Sequence, residues 1–281
     1  MKDSKITLHD QAVHLVDYGG EGEVVLCVHG LTANARCWDS VAERLTSHFR
    51  VLAIDLKGRG DSQKPDSGYS ISQHTEDIKA LIDVLGLEKV IYMGHSLGAL
   101  IGVCFAATYP QYLSKLILVD GAANLDGQVF EMIRPAVERL GITYSSYQSY
   151  ILEMKKNPFL DKWNEYIEQY FYSDVDHFPD GSVRSKVSQG AIKAELDSLE
   201  KTDINSHHKS IQTPTLLLWA QDSFKNGKTF MLSREKGKAL AEKWPESRFV
   251  EIEGANHYSI IFNEYNVLVK EIKNFINPKM L

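Results

Sequence analysis

The chain has 281 residues, 43% of them hydrophobic and 24% charged, with a formal net charge of −6. The length is enough for one large α/β domain with room for an inserted subdomain, the composition is that of an ordinary globular protein, and the lack of any Lys/Arg cluster argues against a nucleic-acid partner, which needs concentrated basic charge. No run approaches the roughly 18 apolar residues of a membrane span, residues 1–15 lack the apolar core of a signal peptide, and Cys27, Cys37 and Cys104 offer neither metal-ligand spacing nor a disulfide framework, so a cytoplasmic location is the expectation.

Residues 6–18 alternate loosely and run into Gly19-Gly20-Glu21-Gly22, which reads as a hairpin or meander closing on a Gly-rich turn. A phosphate cradle there would need a strand–glycine–helix order that the sequence lacks. Val24–Val28 is a continuous apolar run, the mark of a strand covered on both faces, and ends in His29-Gly30-Leu31-Thr32. Helical spacing follows, with Trp38, Val41, Ala42 and Leu45 on one face. A second buried strand, Val51–Ile54, leads into Asp55-Leu-Lys-Gly-Arg-Gly-Asp-Ser62, and a further helix carries Ile78, Leu81, Ile82 and Leu85 along one stripe.

The strand Lys89–Met93 then enters Gly94-His95-Ser96-Leu97-Gly98, and a helical stretch runs from Ala99 to Tyr109. Glycines on both sides of Ser96 permit a turn too tight for Cβ atoms, which puts the serine in strained geometry with its hydroxyl at the carboxyl end of a sheet. Leu116–Val119 is the next strand, ending at Asp120. Strands alternating with helices at this spacing predict a doubly wound, mostly parallel α/β sheet.

From residue 124 to 205 the alternation stops. This stretch has helical periodicity and carries Tyr144, Tyr147, Tyr150, Phe159, Trp163, Tyr166, Tyr170, Phe171 and Tyr172, with no convincing buried strand. It reads as a helical cap over the carboxyl edge of the sheet, most of its aromatics forming the cap's own core and the rest lining an apolar pocket. Residues 1–123 and 206–281 form the core on this reading. The pattern resumes with a strand at Pro214–Trp219, a helix from Leu232 to Lys243, a strand at Arg248–Ile252, the turn Gly254-Ala-Asn-His257, and a closing helix over 260–276 with Val267, Val269, Ile272 and Phe275 on its buried side.

With these motifs in order, the chain resembles the α/β-hydrolases of the esterase and lactonase type over nearly its whole length. His29-Gly30, the Asp55–Ser62 segment, the elbow at Ser96 and Gly254-x-x-His257 occur in family order. The resemblance implies Ser96 as nucleophile and His257 as the base that takes its proton. Most members place the triad acid after the strand equivalent to Pro214–Trp219; here Ala220-Gln221-Asp222-Ser223 puts Ser223 at that position and Asp222 one residue early. A subset places it after the strand that follows the elbow helix, which here is Asp120. Serine cannot supply the charge and Asp222 would need a local bulge, so Asp120 is preferred and Asp222 is the alternative.

The oxyanion hole is expected from the backbone N–H groups of Leu97, at a helix start where amides are unpaired, and of Leu31. Asp55–Ser62 reads as structural, with Asp55 anchoring the loop that bears Leu31. His95 reads as structural, and His207 and His208 lack a third metal ligand. A serine at the elbow excludes members that use an Asp nucleophile. The expected activity is hydrolysis of small, fairly apolar carboxylic esters through an acyl-serine. Lactonase, C–C hydrolase or haloperoxidase-like perhydrolase chemistry are alternatives, as is a small-ligand receptor with an intact triad. The expected partner is a small-molecule ester or lactone, with a monomer or homodimer and no cofactor or metal.

Overall fold

The computed structural model describes residues 1–224 and 228–278. The chain opens with a hairpin of β1 (Lys2–Leu8) and β2 (Gln11–Gly19), paired antiparallel with Leu8 opposite Gln11. Its turn is His9-Asp10, both at positive φ (48° and 63°), the mirror-image turn that matches strand twist. The hairpin expected from the sequence is present, but it does not close on the glycines. Gly19–Gly22 instead link β2 to β3 (Val24–Val28), and Gly20 passes so close to its neighbours that a Cβ would lie 2.0 Å from the Phe49 carbonyl oxygen.

After β3 come a 3₁₀ turn (Ala35–Trp38), α1 (Asp39–Leu45), β4 (Arg50–Ile54), α2 (Ile71–Val84), β5 (Val90–His95), α3 (Leu97–Thr108) and β6 (Leu113–Val119). The stretch that follows holds α4 (Gly127–Glu138), β7 (Thr143–Tyr144), α5 (Tyr147–Met154), α6 (Glu165–Ser173), β8 (Val175–His177), β9 (Val183–Ser185) and α7 (Gln189–Leu199). It is not purely helical: β7, β9 and β8 form a small antiparallel sheet in that order. These strands have two or three residues each, too few for alternation to register in a sequence.

The last part contains β10 (Thr215–Ala220), α8 (Arg234–Lys243), β11 (Arg248–Ile252), α9 (Ser259–Phe262) and α10 (Tyr265–Ile276). The expected closing helix is therefore broken at Asn263-Glu264. On α10, Leu268, Val269, Ile272 and Phe275 are buried, whereas Val267, expected on that face, is 46% exposed. Leu268, Ile272 and Phe275 stand at i, i+4 and i+7 along one face of the helix, and Val267, one position before Leu268, turns about 100° away from it.

The main sheet has the order β1-β2-β4-β3-β5-β6-β10-β11, antiparallel at the β1-β2-β4 edge and parallel from β4 to β11. The apolar runs of β3 and β5 are buried at every residue because helices cover both faces. Successive β3 residues serve opposite cores: Val25 and Cys27 pack with α1 and α10, Leu26 and Val28 with α2 and α3. Tyr150, Ile167, Tyr170 and Phe171, from α5 and α6, join the first of these cores. Helix α3 is buried from Leu97 through Ala106, all around its circumference, as a wholly apolar helix must be. No helix among the described residues is long and apolar enough to cross a membrane.

Candidate active site

The site begins at the junction of β5 and α3. Ser96 has φ 56° and ψ −116°, a conformation that β-carbon-bearing residues rarely adopt. Its flanking glycines are obligatory: a Cβ on Gly94 would lie 2.2 Å from the Gly98 carbonyl oxygen, and one on Gly98 would lie 2.2 Å from that of Val28. The Ser96 N–H donates to the Val119 carbonyl at 3.1 Å, which ties the elbow to the end of β6.

Asp120, the residue after β6, also leaves the sheet at positive φ (46°), with its N–H bonded to the Leu218 carbonyl at 2.8 Å. Its side chain is fully buried. Oδ1 accepts the Ala220 N–H at 3.1 Å and Oδ2 lies 2.7 Å from Nδ1 of His257. His257 Nε2 lies 3.1 Å from Ser96 Oγ. Ser96, His257 and Asp120 are thus joined in one hydrogen-bonded chain, whereas Asp222 is exposed to solvent. Ser223, at the position where the resemblance would place the acid, is buried and its hydroxyl has no partner among the described residues; it contributes its carbonyl, which accepts the His257 N–H at 2.9 Å.

The loop carrying His257 is held by the Asn256 side chain. Asn256 Oδ1 accepts the Tyr258 and Ser259 N–H groups at 2.9 Å, and its Nδ2 donates to the Phe159 carbonyl at 3.1 Å. His95 donates from Nε2 to the His257 carbonyl at 2.8 Å. Burial pushes the His95 imidazole far below its usual pKa, so it stays neutral. The sequence identifies His95 as structural but does not reveal this contact, because nothing local marks a bond to a residue on a distant loop.

Across the site, burial also lowers His29, to a pKa of about 4. Its Nε2 accepts the Leu56 N–H at 2.9 Å and its Nδ1 donates to the Gly30 carbonyl at 2.7 Å. The Gly30 carbonyl also accepts the Ala33 N–H at 3.2 Å. Asp55 receives the Ala35 N–H at 2.7 Å, anchoring the loop as expected, and that of Asp61 at 2.8 Å. Leu31 stands in the cavity wall between these anchors, and the Leu97 amide opens α3 on the other side of Ser96.

The cavity above Ser96 and His257 measures about 770 Å³. Of the aromatics noted in the sequence, Tyr144, Phe159, Tyr170 and Phe171 line it; the others pack elsewhere. Its two cationic lining residues are already paired: Arg139 with Asp174 at 2.8 Å and Lys156 with Glu153 at 2.6 Å. Among the described residues, His14, Asp55 and Asp61 alone are grouped closely enough to hold a metal ion. Asp55 Oδ2, however, is taken by His14 Nδ1 at 2.7 Å and by the Asp61 N–H, and Lys186 pairs with Asp61 at 2.8 Å.

Similarity to known proteins extends over nearly the whole chain. It is 26% identical over 263 residues to the 2-(acetamidomethylene)succinate hydrolase of Mesorhizobium japonicum, covering 92% of this chain and 89% of that one. A crystal structure of E-2-(acetamidomethylene)succinate hydrolase superposes with a TM-score of 0.88 at 22% identity, covering 98% of this chain and 99% of that one. A thermophilic esterase from Thermogutta terrifontis superposes with a TM-score of 0.74 at 24% identity, covering 99% of both chains. At such identities the superpositions establish the fold. The family model described as alpha/beta hydrolase fold matches residues 23–264, so the chain belongs to the α/β-hydrolase fold family.

Proposed function

We propose that the protein is a serine hydrolase that cleaves carboxylic esters of small, fairly apolar substrates through an acyl-serine intermediate. The observation that carries this reading is the continuous Asp120–His257–Ser96 hydrogen-bonded chain at the floor of an apolar cavity. His257 Nε2 takes the Ser96 proton as Oγ attacks the substrate carbonyl, and Asp120 holds the imidazole tautomer that makes Nε2 the base. The Leu31 and Leu97 amides receive the developing oxyanion. His257 then protonates the leaving alcohol, and afterwards activates a water that releases the acid and restores Ser96.

On this reading residues 124–205 act as a cap, supplying the aromatic walls that select the substrate. The buried pairing of Arg139 with Asp174, which leaves that cavity cation without a free charge to offer, supports a neutral substrate. A second reading, cleavage of an acyl–nitrogen bond by the same residues, is favoured by the name of the Mesorhizobium relative, whose substrate carries an acetamido group.

The test is peptide mapping after reaction with a fluorophosphonate probe, together with turnover of p-nitrophenyl butyrate and of the matching anilide. Label confined to Ser96, and turnover abolished in Ser96→Ala, support the serine hydrolase reading. The ester-to-anilide ratio then separates the two bond types. Label elsewhere, no label, or turnover no faster than that of Ser96→Ala refutes the enzyme reading and favours a ligand receptor.

A further inference from the structure

The Asp55–Ser62 segment reads as a turn, yet it carries a buried cation that the proposed chemistry does not use. Arg59 is fully buried. Its Nε donates to the Leu31 carbonyl at 2.9 Å, Nη1 to the Lys57 carbonyl at 2.9 Å, and Nη2 to Glu195 Oε2 at 3.0 Å. Glu195 lies on α7 and is itself fully buried; the same oxygen contacts His74 Nε2 on α2 at 2.6 Å. The start of α7 sits directly on the arginine loop: the Ser188 N–H donates to the Gly58 carbonyl at 2.8 Å, and a Cβ on Gly58 would lie 2.5 Å from the Ala191 Cβ.

A second guanidinium repeats the pattern one residue along. Arg139 pairs through Nη1 with Asp174 at 2.8 Å and reaches the Thr32 carbonyl from Nη2 at 3.3 Å. Successive carbonyls of one loop are thus each held by an arginine, and each arginine by a buried carboxylate from the stretch between β6 and β10.

Burial of such a pair is a poor way to gain stability, because desolvation offsets the attraction and apolar side chains of equal volume pack as well. The cluster is not even saturated, since His74 Nδ1 and Glu195 Oε1 are buried without partners among the described residues. What an apolar replacement could not do is grip the Leu31 carbonyl. The Leu31 N–H lies in the peptide plane it shares with the Gly30 carbonyl, and the plane on the other side of the Leu31 Cα restrains how that first plane can turn. The first is set by the bonds that His29 and Ala33 make to the Gly30 carbonyl, and the second by Arg59.

We propose that Arg59, held by Glu195, is a positioning residue that aims the Leu31 amide at the oxyanion, which makes the alignment of the hole depend on the seating of α7. The inference rests on the assignment of Ser96 and Leu31 under the proposed function. Arg59 does not line the cavity, so its contribution arises when the oxyanion forms and not when substrate binds.

The experiment uses Arg59→Lys, which keeps a cation opposite Glu195 but lacks the planar fork, and Glu195→Gln, which keeps shape and an acceptor oxygen. For each, kcat and KM are measured with p-nitrophenyl butyrate, along with Ki for a trifluoromethyl ketone of matching chain length, whose Ser96 adduct carries an oxyanion. Arg59→Lys is expected to lower kcat by about 10–100-fold and to weaken the ketone by the same factor, with KM changed less than about twofold. Glu195→Gln is expected to show a smaller loss with the same split, and it decides the matter if Arg59→Lys does not fold. An unchanged ketone Ki in folded variants, or a loss confined to KM, overturns the positioning role while Ser96→Ala remains inactive. Full turnover by Ser96→Ala overturns the functional reading, and the positioning role with it.

Discussion

Replacing Asp120 by asparagine tests the proposed triad at the point where the sequence leaves two choices. The Ala220 N–H points at Asp120 Oδ1 from 3.1 Å, so the side-chain amide introduced by Asp120→Asn must keep its oxygen there. That leaves the –NH₂ group facing His257 Nδ1, across the 2.7 Å now spanned by Oδ2, and a donor at that position forces the imidazole into the tautomer protonated on Nε2. Nε2 then faces Ser96 Oγ as a donor and cannot take its proton. The analogous change in serine proteases costs about 10⁴ in kcat, so a loss of about 10³–10⁴, or roughly 4–5.5 kcal/mol of barrier, is expected here. KM is expected to stay within a few-fold. Asp222→Asn, at an exposed position, is expected to keep kcat within about twofold, as surface changes usually do. Both variants are assayed by p-nitrophenyl butyrate turnover and by the rate of fluorophosphonate labelling at Ser96. If Asp222→Asn loses more than Asp120→Asn, the acid assignment and the tautomer argument both fail.

Three further outcomes follow from the geometry. A Cβ on Gly30 would stand 3.2 Å from Ser96 Cβ and 3.4 Å from His95 Nδ1; Gly30→Ala is therefore expected to fold but to lose about tenfold in kcat by displacing the nucleophile, and an unchanged kcat would contradict the crowding. Gly98→Ala drives a Cβ to 2.2 Å from the Val28 carbonyl oxygen, between a strand and a helix that are both buried. It is expected to cost about 3 kcal/mol or more in urea unfolding, and a loss under about 1 kcal/mol would mean that the backbone yields. His29 is neutral in the folded state, with a pKa of about 4 against a usual 6.5, while the unfolded chain takes up the proton below 6.5. Stability therefore falls as pH drops from 6.5 towards 4, by about 2 kcal/mol at pH 5 from His29 alone. The similarly depressed His95 adds to this, whereas His14, which is raised, exerts its pH dependence above 6.5. A urea midpoint that is flat between pH 6.5 and 5 would refute the burial argument.

The elements most legible in the sequence are those whose environment is uniform. Strand β3 and the segments Val51–Ile54 of β4, Val90–Met93 of β5 and Leu216–Ala220 of β10 are apolar because both faces are covered, and the glycines around Ser96 record backbone contacts as close as 2.2 Å. Ser96, Asp120 and His257 can be singled out because each lies just beyond a recognisable strand. Other features depend on contacts between distant segments. Nothing near Arg59 announces Glu195, 136 residues away, and nothing near His95 announces the carbonyl of His257. The β7–β9 sheet is hidden because its strands are too short to show a period, and the turn at His9-Asp10 because neither residue is the glycine that positive φ normally favours.

On the proposed assignment, the register of β5 and β6 has a consequence for how this scaffold can change. His95 lies opposite Val119, so the nucleophile and the acid leave adjacent strands side by side, with the elbow bonded to the end of β6 by the ladder itself. Their separation is a property of the sheet, and of the three residues His257 alone stands on a loop that could drift. The turn after β10 is thereby relieved of carrying a charge; its obligations to the His257 loop are met by its backbone, through the Ser223 carbonyl that receives the His257 N–H and the Asp222 N–H that donates to the Ala255 carbonyl at 2.8 Å. The Gln221 side chain still receives the Gly254 N–H at 3.3 Å, on the turn that leads to His257, but the exposed side chain at 222 can diverge without disturbing the chemistry, so this point on the rim is where the scaffold is free to acquire new surface properties.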